Sequence, residues 1–186
     1  NEEVGSFYDD YVLPLRIASS TGEPIGQNKY VKVLAHIGFK NDYSGVYSGK
    51  GVVTQQGTSY TTETTGTQLY AINNDVCYMF VGDKTRFNTA DYLIYAVEIH
   101  RNMFGDISLV SENQGLQFEP YSARLTRKYT YNYTDQRYYT EVTTIELAYG
   151  YQDSTLPEPL TMTFEGTFSM SRDVLRVEYP DVEVEE

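Results

Sequence analysis

The chain has 186 residues, a formal net charge of −12 at pH 7, 19 tyrosines, no tryptophan and one cysteine. That length suits one ordinary domain, or one domain with a fragment of a second, and it can bury a core without disulfides or metals. The acidic surface repels phosphate backbones and anionic headgroups, which weighs against nucleic-acid binding and against anionic membrane surfaces.

A 15% aromatic and 40% hydrophobic share marks a globular protein. Tyr, Thr and Val dominate the periodic segments and suit a pleated, half-buried surface, so all-β is the expected class. "DDYVLPLRIASS" (9–20) begins as a strand, and Pro14 argues for an edge or a strand end there. "TGEPIGQN" (21–28) reads as a loop, and "KYVKVLAHIGFK" (29–40) alternates with one uniformly apolar face. "NDYSG" (41–45) breaks that period and is the expected domain boundary.

Short strand-like runs follow. "GVYSGKGVVTQQ" and "SYTTETTGTQLYAI" lead to a turn at "NND" (73–75), and "VCYMFVG" reads as a buried strand ending at Gly82. Its Cys77, flanked by Val76, Tyr78 and Phe80, reads as a small buried hydrophobe. "KTRFNTADY" (84–92) is a loop and "YLIYAVEIH" (92–100) a strand. "NMFGD" turns the chain, and "ISLVSENQGLQFEP" reads as a hairpin with "ENQG" at its tip. "STLPEPL" (154–160) is a connection, "TMTFEGTFSMS" (161–171) a last strand with Met162, Phe164 and Phe168 in the core, and "VEYPDVEVEE" a solvated acidic tail. Regularly spaced short strands predict an antiparallel β-sandwich or a calycin-like barrel.

"TRKYTYNYTDQRYY" (126–139) carries five tyrosines. A two-residue turn at Asp135 and Gln136 would set Tyr133 opposite Tyr138, Tyr131 opposite Thr140 and Tyr129 opposite Val142. The return strand would place Ile145, Leu147, Tyr149 and Tyr151 on one face, with Glu141 and Glu146 on opposite faces. Tyrosine combines a flat apolar ring with a hydroxyl, the chemistry that a sugar ring needs. The candidate ligand-binding residues are therefore Tyr129, Tyr131, Tyr133, Tyr138, Tyr139 and Arg137. The plainer reading of the same rings is cross-strand packing.

Other chemistry leaves little trace. There is no phosphate-binding glycine loop, HExxH, CxxC or GxSxG. His36 and His100 lie far apart in strand-like contexts and read as structural. Carboxylates are plentiful enough for a hydrolase pair, but spacing selects none. No catalytic residue, metal or cofactor is expected. No run of about 18 apolar residues could form a transmembrane helix. The chain opens at Asn1 without a leader pattern, as a trimmed chain, a mature form or a cytosolic protein would.

Residues 11–49 carry a further pattern: Tyr11, Leu13, Pro14, Leu15 and Ile17, then Asn41, Tyr43, Gly45 and Tyr47. This resembles the junction in Bacteroidetes surface lipoproteins of unknown function encoded beside SusC/SusD-type glycan-uptake systems. There the last strands of an Ig-like N-terminal domain lead into a C-terminal β domain. The resemblance implies Ig-like terminal strands over 1–40 and an antiparallel β domain over 41–186. It also implies an outer-membrane, cell-surface location through an upstream lipid anchor that this chain does not contain. A glycan and SusC/SusD-type proteins are the implied partners, and a non-catalytic glycan-binding or uptake module is the implied role. The alternative is a structural protein that meets a partner, or itself, through exposed β edges.

Overall fold

A computed structural model describes residues 11–16, 32–37, 40–85, 92–154, 158–178 and 183–185. The expected loop over 21–28, most of that over 84–92, and Asp181 in the acidic tail lie outside the described residues. Strands β1 (Tyr11–Arg16) and β2 (Lys32–Ile37) pair antiparallel, with Tyr11 opposite Ile37. Among the described residues β1 has only this neighbour, an edge position that tolerates Pro14.

Eight longer-range strands follow: β3 (Gly45–Gln55), β4 (Thr61–Ala71), β5 (Val76–Phe80), β6 (Ala96–Arg101), β7 (Ile107–Val110), β8 (Glu119–Tyr131), β9 (Tyr138–Asp153) and β10 (Leu160–Leu175). Consecutive strands pair antiparallel from β3 to β7 and from β8 to β10, and β10 returns to pair with β3. β7 and β8 lie side by side without a ladder. The result is a nearly closed antiparallel barrel with one seam, so the class is all-β and the sheet is barrel-like.

Three expectations change, each for a packing reason. The hairpin over 107–120 does not form. Asn113 Oδ1 instead accepts from the Gly115 amide at 2.9 Å, and the turn that follows buries Leu116 in the core. That anchor holds the chain in a wide connection, which leaves the seam. The strand expected at 92–100 starts only at Ala96, because Tyr92–Tyr95 form a 3-10 turn that buries Tyr95. The acidic tail is not wholly solvated: β11 (Val184–Glu185) pairs in parallel with β8 at Tyr129 and Thr130.

The interior follows the period-two pattern. Along β9 the alternate residues from Tyr139 to Tyr151 are all buried, including Ile145, Leu147, Tyr149 and Tyr151. Met162, Phe164 and Phe168 face them from β10, as the alternation predicts. Tyr149 stacks on Phe164 at 4.8 Å between centroids, and Phe164 lies near-parallel to Phe168 at 6.2 Å. These rings fit because Gly51 and Gly166 oppose each other beneath them. A Cβ at Gly51 would stand 2.7 Å from the Phe164 ring, and one at Gly166 would stand 2.6 Å from the Phe168 ring. Cys77 is fully buried beside this core, and burial pushes its thiol up to about 11.

One end of the barrel is plugged. There the Tyr95 hydroxyl donates to Asp153 Oδ1 at 3.1 Å, and Lys84 Nζ meets Asp153 Oδ2 at 2.7 Å. The Lys84 ammonium also lies 5.4 Å from the centre of the Tyr95 ring. His100, at the outer surface of β6, bonds Glu98 at 2.7 Å, which accords with a structural role.

Candidate functional site

The opposite end is built around the β8–β9 hairpin. Its turn is wider than expected, because the short polar side chains of residues 132–137 bond their own backbone. Asn132 Oδ1 accepts from the amides of Thr134 and Asp135, both at 3.0 Å, and the Tyr138 amide donates to the Asp135 carbonyl at 3.0 Å. Arg137 forks onto Asp135 and draws that carboxyl down to about 2.

This turn shifts the register by one residue. Tyr131 faces Tyr139 and Tyr129 faces Glu141, in place of Thr140 and Val142. A single-residue slip exchanges one face of the partner strand for the other. Tyr129 and Tyr131 therefore share the inward face with Tyr139 and Glu141.

The six candidate residues accordingly divide. Tyr129, Tyr131 and Tyr139 come together at the barrel rim. Tyr138 has the opposite parity on β9 and points outward, with the Arg137 guanidinium 5.7 Å from its ring. Tyr133 stands on the loop and is 85% exposed. No single platform of all six exists.

The rim pair is tightly organised. The Tyr131 and Tyr139 centroids are 5.8 Å apart, and the Arg176 guanidinium lies 5.5 Å and 4.8 Å from them. The Arg176 amide donates to the Arg137 carbonyl at 2.9 Å and its Nη1 to the Gln136 carbonyl at 3.1 Å. Backbone contacts thus hold the cation where its attraction to the ring faces is felt.

One layer further in lies Glu141, 0% exposed. Its Oε1 accepts from Arg172 Nε at 3.0 Å and Thr143 Oγ1 at 3.1 Å, and Arg172 Nη2 stands 2.9 Å away. Arg127 sits diagonally across, opposite Thr143 on β8. Arg127 Nη1 bonds Asp42 Oδ2 at 2.8 Å, and Arg101 Nη1 bonds the same oxygen at 3.0 Å. Burial raises the Asp42 carboxyl pKa, but the two guanidiniums outweigh it and the net shift is downward.

Glu141 and Arg127 both meet a third side chain of this layer. Tyr129 stands close enough to feel both groups. Burial and the Glu141 carboxylate, to which its hydroxyl is hydrogen-bonded, raise its pKa, while the contact with Arg127 lowers it.

Glu141, Arg127, Arg172, Arg176 and Asp42 were not among the sequence candidates. A signal for Glu141 existed, since it shares parity with Ile145 and Leu147 and so belongs to the buried face. A carboxylate on such a face needs a partner. Arg127 and Arg172 carry the same mark on their own strands, but their meeting depends on strands that are distant in sequence.

Fold and site together define an eight-stranded antiparallel barrel domain, plugged at one end and polar inside the other. The chain belongs to a family of C-terminal domains, whose model, described as "-like, C-terminal", matches residues 31–169. No curated protein matches the sequence. Among solved structures, a protein of unknown function from Bacteroides ovatus superposes with a TM-score of 0.74 at 19% identity, over 91% of this chain and 60% of that one. A protein described as an auxiliary nutrient binding protein from Bacteroides thetaiotaomicron gives 0.68 at 19% identity, over 91% and 59%. A multidomain protein including DUF1735 from Bacteroides ovatus gives 0.68 at 19% identity, over 82% and 66%. The chain spans less than two thirds of the length of each of these proteins. At such identities the likeness is one of fold.

Proposed function

We propose that this domain is a non-catalytic accessory module that binds a glycan at the cell surface, at the rim formed by Tyr131, Tyr139 and Arg176. The observation that carries this reading is the rim itself: two aromatic rings and a guanidinium above a polar interior. Of this set the exposed Tyr131 ring offers an apolar face to sugar C–H groups and Arg176 offers charged donors to sugar hydroxyls, with the Tyr139 ring buried behind them. Its relation in fold to a protein described as auxiliary nutrient binding supports a role in nutrient uptake. An outer-membrane location through an upstream lipid anchor, and SusC/SusD-type uptake partners, belong to the same proposal and rest on the junction motif at residues 11–49.

The test is calorimetric titration of a polysaccharide panel into the native chain and into Tyr131→Ala. Saturable binding that the substitution removes, with the fold intact, supports the reading. Silence across the panel overturns it. The seam between β7 and β8 favours a second reading, in which an exposed edge pairs with a partner strand or a second copy. That reading expects an oligomer that dissociates on dilution and no response to sugars.

A further inference from the structure

We infer that the segment leading into β3, residues 40–44, is a latch that holds the barrel's seam shut through Asp42, so that lifting this segment opens β7 from β8. The inference goes beyond the glycan reading and uses none of the rim rings.

The local sequence makes the segment stiff. Asn41 Oδ1 accepts from the amides of Tyr43 at 3.2 Å and Ser44 at 2.8 Å, and Ser44 Oγ accepts from the Asn41 amide at 2.9 Å. Short polar side chains that bond their own backbone fix a turn in this way. The turn is pinned to strands on one side of the seam. Asn41 Nδ2 donates to the Asn73 carbonyl at 2.8 Å and lies 3.2 Å from Cys77 Sγ, so it covers that thiol. Tyr43 is fully buried, and its hydroxyl donates to the Ile99 carbonyl of β6 at 3.4 Å. The Tyr43 carbonyl in turn accepts from the Tyr47 hydroxyl of β3 at 2.7 Å.

Asp42 reaches from this turn to the other side. Its Oδ2 accepts from Arg101 Nη1 at 3.0 Å and from Arg127 Nη1 at 2.8 Å. Arg101 ends β6 opposite Ile107, the first residue of β7, whereas Arg127 lies on β8. A single carboxylate oxygen therefore bridges the two sides of the seam, where no ladder joins β7 to β8 among the described residues. Asp75 also stands near Arg101, at 3.6 Å from Nη2, but both belong to the same side and tie nothing across. At the plugged end the barrel is held differently, by buried Leu116 and by the bonds of Lys84 and Tyr95 to Asp153.

The charges make the latch sensitive to position. With the carboxylate in place both guanidiniums are drawn to it. Once it is withdrawn, two cations face each other across the seam and repel. The Arg101 and Arg127 side chains are only about one fifth exposed, so water screens that repulsion incompletely. A displacement of the chain ahead of Asn41 is thus transmitted to the seam, and the rim end of β7 is the part that it frees.

The test follows amide hydrogen exchange by mass spectrometry, together with iodoacetamide labelling of Cys77, in the native chain, Asp42→Asn, Asp42→Glu and Asn41→Ala. In Asp42→Asn the amides of β7 should exchange about tenfold faster while those of β9 and β10 hold, and Cys77 should stay covered. Asp42→Glu keeps the charge and should keep most of the protection. Asn41→Ala leaves all three charged groups in place but loosens the turn, so β7 should open and Cys77 should react. If Asp42→Asn does not fold, Asn41→Ala decides. Native exchange of β7 in Asp42→Asn shows that Asp42 does not close the seam. Native exchange of β7 in Asn41→Ala overturns the coupling, whether or not Cys77 reacts. A rise shared equally by β7, β9 and β10 overturns local opening.

Discussion

The Glu141–Arg172 pair offers a sharp test of the interior, because its two partners differ in access to water. Glu141 is 0% exposed, while the Arg172 side chain is 31% exposed. Arg172→Met would strand a carboxylate inside the barrel, a change that costs about 3–5 kcal/mol. Glu141→Gln leaves a guanidinium that can still reach water, and the glutamine oxygen keeps accepting from Thr143, so about 1–2 kcal/mol is expected. The double replacement Glu141→Met with Arg172→Met removes both charges and should be more stable than Arg172→Met alone. Urea unfolding followed by circular dichroism measures this. With a slope of about 2 kcal/mol/M, Arg172→Met should lower the midpoint by about 2 M and Glu141→Gln by less than half of that. Equal shifts for the two single variants, or a larger one for Glu141→Gln, would refute the picture of a desolvated charge held by one partner.

Three other outcomes follow from the packing. Gly51→Ala should destabilise, since overpacking against Phe164 and Phe168 (about 1–3 kcal/mol) exceeds the gain from a stiffer unfolded chain (about 0.4–1 kcal/mol). A melting temperature lower by about 2–8 °C is expected, and an unchanged or higher one would mean that the rings give way freely. Cys77 in the native chain should resist iodoacetamide at about pH 8 and react once urea is added, as read by mass spectrometry. Its raised folded pKa means that this stabilisation is complete below the ordinary thiol value of 9.0 and is lost as pH climbs toward about 11. Tyr43, Tyr47, Tyr149 and Tyr151 are shifted upward mainly by burial, so they should ionise together with alkaline unfolding rather than before it. Tyr133→Ala should change stability by no more than about 0.5 kcal/mol and Tyr139→Ala by about 3 kcal/mol. Similar costs in urea titrations would contradict the division of the tyrosine stretch into loop and rim.

The all-β class, most strand positions and the inward faces of β9 and β10 were legible in the sequence. Alternation is a local property, so Ile145, Leu147, Tyr149 and Tyr151 declare their common face without reference to any other strand. Cys77 likewise declared its burial through its apolar neighbours. The tyrosine stretch was legible as a hairpin but not in its register, which depends on how Asn132 and Asp135 bond their own backbone in the turn. The seam between β7 and β8 was hidden for a similar reason: burying Leu116 overrode a turn-like "ENQG". The candidate site needed tertiary structure most of all. Glu141 meets Arg172 across one strand boundary and faces Arg127 across another, and closing the barrel brings Asp42 to the same end. Periodicity says which side of a strand a residue takes. Only the closed sheet decides which residues meet there.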